Sequence, residues 1–163
     1  MALSETILVV EDHSALLRLV KHILEDAHFT VLPASTAREA SRLEAEYPGT
    51  IDLLLTDVRM RGTSGPTLAK RLQEKRPQMR VMLMSGYPGG ALLVLDYGWH
   101  YIEKPFVPAA LVTKIKDILR GETREHATFR SERSKVARRR PMGRVATAAG
   151  FRAPIISGAQ GRG

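Results

Sequence analysis

Short apolar blocks alternate with longer stretches of helical period over the first 120 residues. The block TILVV at 6–10 shows no polar alternation and predicts a strand covered on both faces. Residues 14–27 set Leu16, Leu19, Val20, Ile23, Leu24 and Ala27 on one stripe, with Arg18, Lys21, His22 and Glu25 opposite, which predicts an amphipathic helix. Residues 29–32 form a second short strand. Thr36-Ala-Arg-Glu39 matches a capping box and opens a helix with Ala40, Leu43 and Tyr47 inward, stopped by Pro48-Gly49. Residues 51–56 form a third strand. A loop over 58–65 follows, and Pro66 suits the first turn of a helix that runs to about Arg76 before Pro77. Residues 80–84 and 100–103 are the fourth and fifth strands, with one or two helical turns at 91–96 between them. Pro108 opens a last helix carrying Leu111, Val112, Ile115, Ile118 and Leu119, and Gly121 is placed to end it.

A strand–helix unit repeated five times, with apolar strands that do not alternate, implies a central parallel sheet with helices on both faces. Ligands of such sheets bind beyond the C-terminal ends of the strands, near the switch in strand order. The residues just after each apolar block therefore matter most. Glu11 and Asp12 follow the first block, Asp57 the third, Ser85 the fourth, and Lys104-Pro105 the fifth. Folding would bring three carboxylates, one hydroxyl and one ammonium into one pocket. Crowded carboxylates stay ionised together only when cations compensate them. Lys104 supplies one positive charge, and a divalent ion would supply two more. Hard oxygen ligands without His or Cys favour Mg²⁺. Asp57, held between a metal and a lysine, would keep an oxygen able to attack phosphorus.

Charge and composition narrow this picture. The chain has 163 residues and a net charge of +8, but residues 122–163 hold ten Lys and Arg against three acids. Nearly all the basic character therefore belongs to the C-terminal segment. There is no Cys, which excludes disulfides and thiolate metal sites. No apolar run has the length of a signal core or a membrane span, so a cytoplasmic protein without a membrane partner is expected. The five His residues are scattered without ligand spacing and are expected on the solvated surface.

The ordered set VVEDH, LLLTDVRM, LMSGY and YIEKPF resembles the receiver domain of two-component response regulators, the CheY-like family. The resemblance covers residues 5–121 and implies a flavodoxin-like (βα)5 three-layer sandwich with a five-stranded parallel sheet. It implies that Asp57 accepts a phosphoryl group from the phosphohistidine of a sensor histidine kinase or phosphotransfer protein. Asp12 and Asp57 would ligate Mg²⁺, with Glu11 acting directly or through water and the Arg59 backbone carbonyl helping. Lys104 would pair with Asp57 and then with a phosphoryl oxygen, and the Ser85 hydroxyl would bond another. Tyr101 matches the switch aromatic. Arg59 and Tyr87 would flank the phosphoryl group, and the Lys104–Pro105 bond would be cis. Phosphorylation adds roughly two negative charges and would bias a surface for a downstream partner around residues 91–111.

The segment between Ser85 and Lys104 departs from the family in being short, and ALLVLD lacks a polar face. Leu92, Leu93 and Leu95 are candidates for either core or an interaction patch. Residues 122–163 read as a basic, disordered tail, too short and polar for an output domain. Two competing functions carry less weight. A phosphorylation-independent scaffold or nucleic-acid binder would use the tail, which lacks interleaved aromatics. A Mg²⁺-dependent phosphohydrolase usually needs an acid two residues after its nucleophile, where this chain has Arg59.

Overall fold

The computed structural model describes residues 4–86 and 97–121. Among these residues the order is β1 (Thr6–Val10), α1 (Ser14–Asp26), β2 (Thr30–Ala34), α2 (Ala37–Glu46), β3 (Leu53–Asp57), α3 (Gly65–Lys75), β4 (Arg80–Ser85), β5 (His100–Glu103) and α4 (Pro108–Arg120). All four strand pairings are parallel, in the order β2-β1-β3-β4-β5. This is the flavodoxin-like sheet, with four helices among the described residues. The expected short helix at 91–96, the leucine patch and the 122–163 tail lie outside the described residues.

Each strand splits its side chains between two cores. On one side, Ile7, Val9, Leu53, Leu55, Met82, Met84 and Ile102 meet Val20 and Leu24 of α1 and Leu111, Ile115 and Ile118 of α4. On the other, Leu8, Val10, Leu54, Val81 and Leu83 meet Ala37 and Ala40 of α2 and Leu68, Ala69 and Leu72 of α3. Successive residues of a strand point to opposite faces. A sheet covered twice therefore needs a continuous apolar run, and every residue of β1 is buried. Each fully buried Leu or Ile side chain contributes about 1.5–3 kcal/mol relative to exposure. Asp52, the polar interruption before β3, accepts the Thr6 N–H on its carboxylate at 2.8 Å and so ties down the start of β1.

Local chemistry sets the helix ends. His13 caps α1, its Nδ1 accepting the Leu16 N–H at 3.3 Å. Thr36 caps α2 by accepting the Glu39 N–H at 3.1 Å. The Glu39 carboxylate accepts from the Ser35 N–H and hydroxyl rather than from Thr36, so the expected box closes one residue earlier. These Ser35 bonds hold the Glu39 carboxyl below its usual range. Pro66 and Pro108 occupy first turns, and Gly121 ends α4 at φ 75°. Trp99, 3% exposed, donates its indole N–H to Gln73 Oε1 at 2.8 Å and stacks on Tyr97.

Two expectations fail. Leu19 is 52% exposed rather than part of the buried stripe. The buried arc of α1 centres on Val20 and Leu24, and Leu19 stands about 100° from Val20 on the far side. His100 is buried, not solvated. It lies two residues before Ile102 in β5 and so shares that residue's covered side of the sheet.

The α2 and α3 helices are locked at their C-terminal ends. Glu44, 5% exposed, receives Arg76 at 3.0 Å and Lys75 at 3.1 Å. Arg76 also donates to the carbonyls of Glu44, Tyr47 and Gly49, which have no partner within the helix itself. Burial pushes the Glu44 carboxyl up, but the bonds from Arg76 and Lys75 outweigh it and hold the group below its usual range. The pair therefore stabilises the fold above the ordinary carboxylate pKa, and this contribution is lost as pH falls through the lowered value. Arg76→Ala is expected to lower unfolding free energy by about 3 kcal/mol near neutrality, measured by urea denaturation. The deficit should shrink on acidification, as Glu44 protonates.

Candidate functional site

The chain leaves β1 outward for β2 and returns past it to β3, so strand order switches between β1 and β3. Glu11 and Asp12 follow β1, and Asp57 is the last residue of β3. One oxygen from each of the three lies within 4.8 Å of the others. The sheet thus brings together acids 45 positions apart in the sequence.

Lys104 enters from the end of β5. Its backbone N–H donates to the Ser85 carbonyl at 2.8 Å, placing it beside the end of β4. Its Nζ reaches Glu11 Oε2 at 2.6 Å and Asp57 Oδ1 at 3.1 Å. Glu11 is nearly inaccessible at 2% side-chain exposure, and its other oxygen accepts the His13 N–H at 3.0 Å. Sequence reasoning paired Lys104 with Asp57; the structure adds Glu11 as the shorter contact. The Lys104–Pro105 peptide is cis.

Asp57 has 13% side-chain exposure. Burial is the main cause that lifts its carboxyl above the ordinary range, and Glu11 adds to it. The Lys104 hydrogen bond and charge, with the Val58 N–H, pull the other way and do not fully compensate. Asp12 is more open, at 26% side-chain exposure. Ser85 is buried at the end of β4. Tyr101 packs against the α2/α3 core and donates its hydroxyl to the Ser85 carbonyl at 3.3 Å. Arg59 is exposed beyond Asp57, and Tyr87 lies outside the described residues.

Two residues around these acids escaped the sequence reading. Gly65 opens α3 so close to β3 that a Cβ there would lie 2.0 Å from the Asp57 carbonyl oxygen. Only glycine permits this approach, and the Gly65 N–H donates to Val58 O at 3.1 Å. Arg61 donates its backbone N–H to Asp12 Oδ2 at 3.1 Å, with its Nε 3.7 Å from the same oxygen. The loop that follows Asp57 is thus tied to both β1 and α3.

The donor set fits a hard divalent cation. All three groups are carboxylates, without imidazole or thiolate.

Comparison with known proteins gives the same picture. Residues 7–116 match the family described as the response regulator receiver domain. The chain is 33% identical to the regulatory protein VanR of Enterococcus faecium over 72% of its own length and 51% of that protein. It is 32% identical to the sensor kinase CckA of Brucella abortus (strain 2308), over 71% of this chain and 13% of the kinase. It therefore spans about half or less of the length of these curated relatives. A CheY-like receiver domain protein from Methanospirillum hungatei JF-1 superposes with a TM-score of 0.67 at 30% identity, covering 74% of this chain and 97% of that one.

Because the folded state favours neutral Asp57, the ionised group costs stability near neutrality, and that cost fades as pH falls through the raised pKa. Asp57→Asn keeps the shape, and Lys104 retains Glu11. In buffer stripped of divalent ions this variant should melt at a higher temperature than the parent at about pH 7. The gap should narrow towards roughly pH 4, as followed by circular dichroism.

Proposed function

The chain belongs to the response regulator receiver domain family, whose members are phosphoacceptors of two-component signalling, and from that premise we propose that Asp57 is its phosphoacceptor. The observation that carries this reading is the shared ammonium: Lys104 lies 3.1 Å from Asp57 within a cluster of three acids. The donor is a phosphohistidine on a sensor kinase or phosphotransfer protein. An Asp57 oxygen attacks phosphorus, the P–N bond breaks, and the electron pair leaves on the imidazole nitrogen, which takes a proton from solvent.

The residues here act mainly by position and charge, as is general for phosphoryl transfer. Asp57 presents an oxygen at the mouth of the sheet. Lys104 moves from its bridge between Glu11 and Asp57 onto a phosphoryl oxygen. Ser85, at the adjacent strand end, offers its hydroxyl to another. Glu11, Asp12, Asp57 and the Arg59 carbonyl are the ligands we assign to Mg²⁺, which when bound supplies positive charge to the transferring oxygens. Arg59, exposed just beyond Asp57, flanks the new group and limits the access of water. Tyr101, already bonded to the Ser85 carbonyl, carries displacement of that strand end to the surface.

The chain turns over no external metabolite in this reading; it catalyses its own phosphorylation and dephosphorylation. Its downstream partner would engage residues 91–111, where Tyr97 and Val107 are exposed apolar contacts at 48% and 66%. Among the described residues no helix is long and apolar enough to cross a membrane. Phosphohistidine donors and millimolar magnesium are cytoplasmic supplies, and we place the reaction there.

Incubating the full chain with Mg²⁺ and acetyl phosphate should add about 80 Da to the intact mass. The gain should be absent in Asp57→Asn and in chelator. An equal gain in Asp57→Asn would remove Asp57 as the acceptor.

A further inference from the structure

Among the described residues, two basic side chains contact the acid cluster and divide it between them. Lys104 lies inside, 19% exposed, and touches Glu11 and Asp57. Arg61 lies outside, 92% exposed, with its Nε 3.7 Å from Asp12 Oδ2. The same Asp12 oxygen also receives the Arg61 backbone N–H at 3.1 Å. The two Arg61 contacts have different consequences. The backbone bond orients the carboxylate whatever side chain residue 61 carries. The guanidinium only neutralises it, and a cation is what a divalent ion must also be to bind there.

We propose that Arg61 is a built-in competitor for the divalent-ion site, its guanidinium compensating Asp12 when no ion is bound and opposing ion entry. This rests on the reading of Glu11, Asp12 and Asp57 as metal ligands. Two opposing features set the size of the effect. An exposed pair is weak, so the guanidinium yields readily to an ion. Its charge nevertheless stays within a Debye length of all three acids, and the opposition persists after the contact breaks. Ion loading then depends on ionic strength as well as on ion concentration. Added salt weakens the attraction of Mg²⁺ for the acids but also relieves the repulsion from Arg61.

Titration calorimetry of the full chain with MgCl₂ at about 20 mM salt tests this, using Arg61→Gln, Arg61→Ala and Arg61→Lys. All three substitutions keep the backbone bond to Asp12, and the side chain is solvated, so the fold is retained. The Gln and Ala variants should bind Mg²⁺ about two- to fivefold more tightly than the parent, and Lys should match it. The advantage should vanish at about 0.5 M salt, where the screening length is only a few ångströms. Without Mg²⁺, the Gln and Ala variants should melt slightly lower, and saturating ion should abolish the difference. Equal or weaker Mg²⁺ binding by both variants, with the parent binding normally, overturns the competitor role alone. Failure of the parent to bind Mg²⁺ overturns the metal site and the proposal together.

Discussion

One ammonium group sets the terms for the whole upper edge of this molecule. Without Lys104, Glu11 at 2% exposure would be a buried charge facing a second carboxylate across a gap with no cation. Charges so placed either find a partner or give up their ionisation. Lys104 meets the requirement from the far side of the sheet, because its backbone bond to Ser85 sets it at the end of β4 and its long side chain does the rest. The compensation is incomplete, as the raised affinity of Asp57 for a proton records. Burial, more than the nearby Glu11 carboxylate, causes that shortfall, and a further positive charge at the cluster would offset it.

The two hydrophobic layers exist to hold this edge still. Ile7 and Val9 on one side and Leu8 and Val10 on the other fix the last turn of chain before Glu11. Leu53, Leu54 and Leu55 do the same for Asp57. Interiors packed at crystal density deform little. Strand ends therefore vary less than the loops beyond them, and the acids are mounted on those ends. The lock of Arg76 on Glu44 and three backbone carbonyls secures α2 against α3 at the opposite pole, where no chemistry is assigned.

Much of this was legible in one dimension. TILVV and LLLT announce strands covered on both faces and hence a parallel sheet, while the flavodoxin-like arrangement of those strands is carried only by the family resemblance of the ordered motifs. The acids and Lys104 declare themselves by standing just past those blocks. What escaped was set by contacts across long separations. Arg61 meets an acid 49 positions away, and no local pattern marks that meeting. Gly65 looks like any loop glycine until the Asp57 carbonyl is seen where its side chain would be. Leu19 was misjudged for a different reason: an apolar residue at the margin of a stripe is decided by where the neighbouring helix sits, not by its own spacing. His100 reversed the surface expectation because β5, though an edge strand, has one face under α4's layer.

Trp99 is the chain's single tryptophan, and it sits with its indole hydrogen-bonded to Gln73 and its face against Tyr97, immediately before the strand that leads into Lys104. Its fluorescence therefore originates from one address. Under excitation selective for tryptophan, a shift in emission colour or quenching registers the packing between β5 and α3, uncontaminated by any second indole. The molecule carries its own optical gauge at the root of the strand whose tip handles the charge.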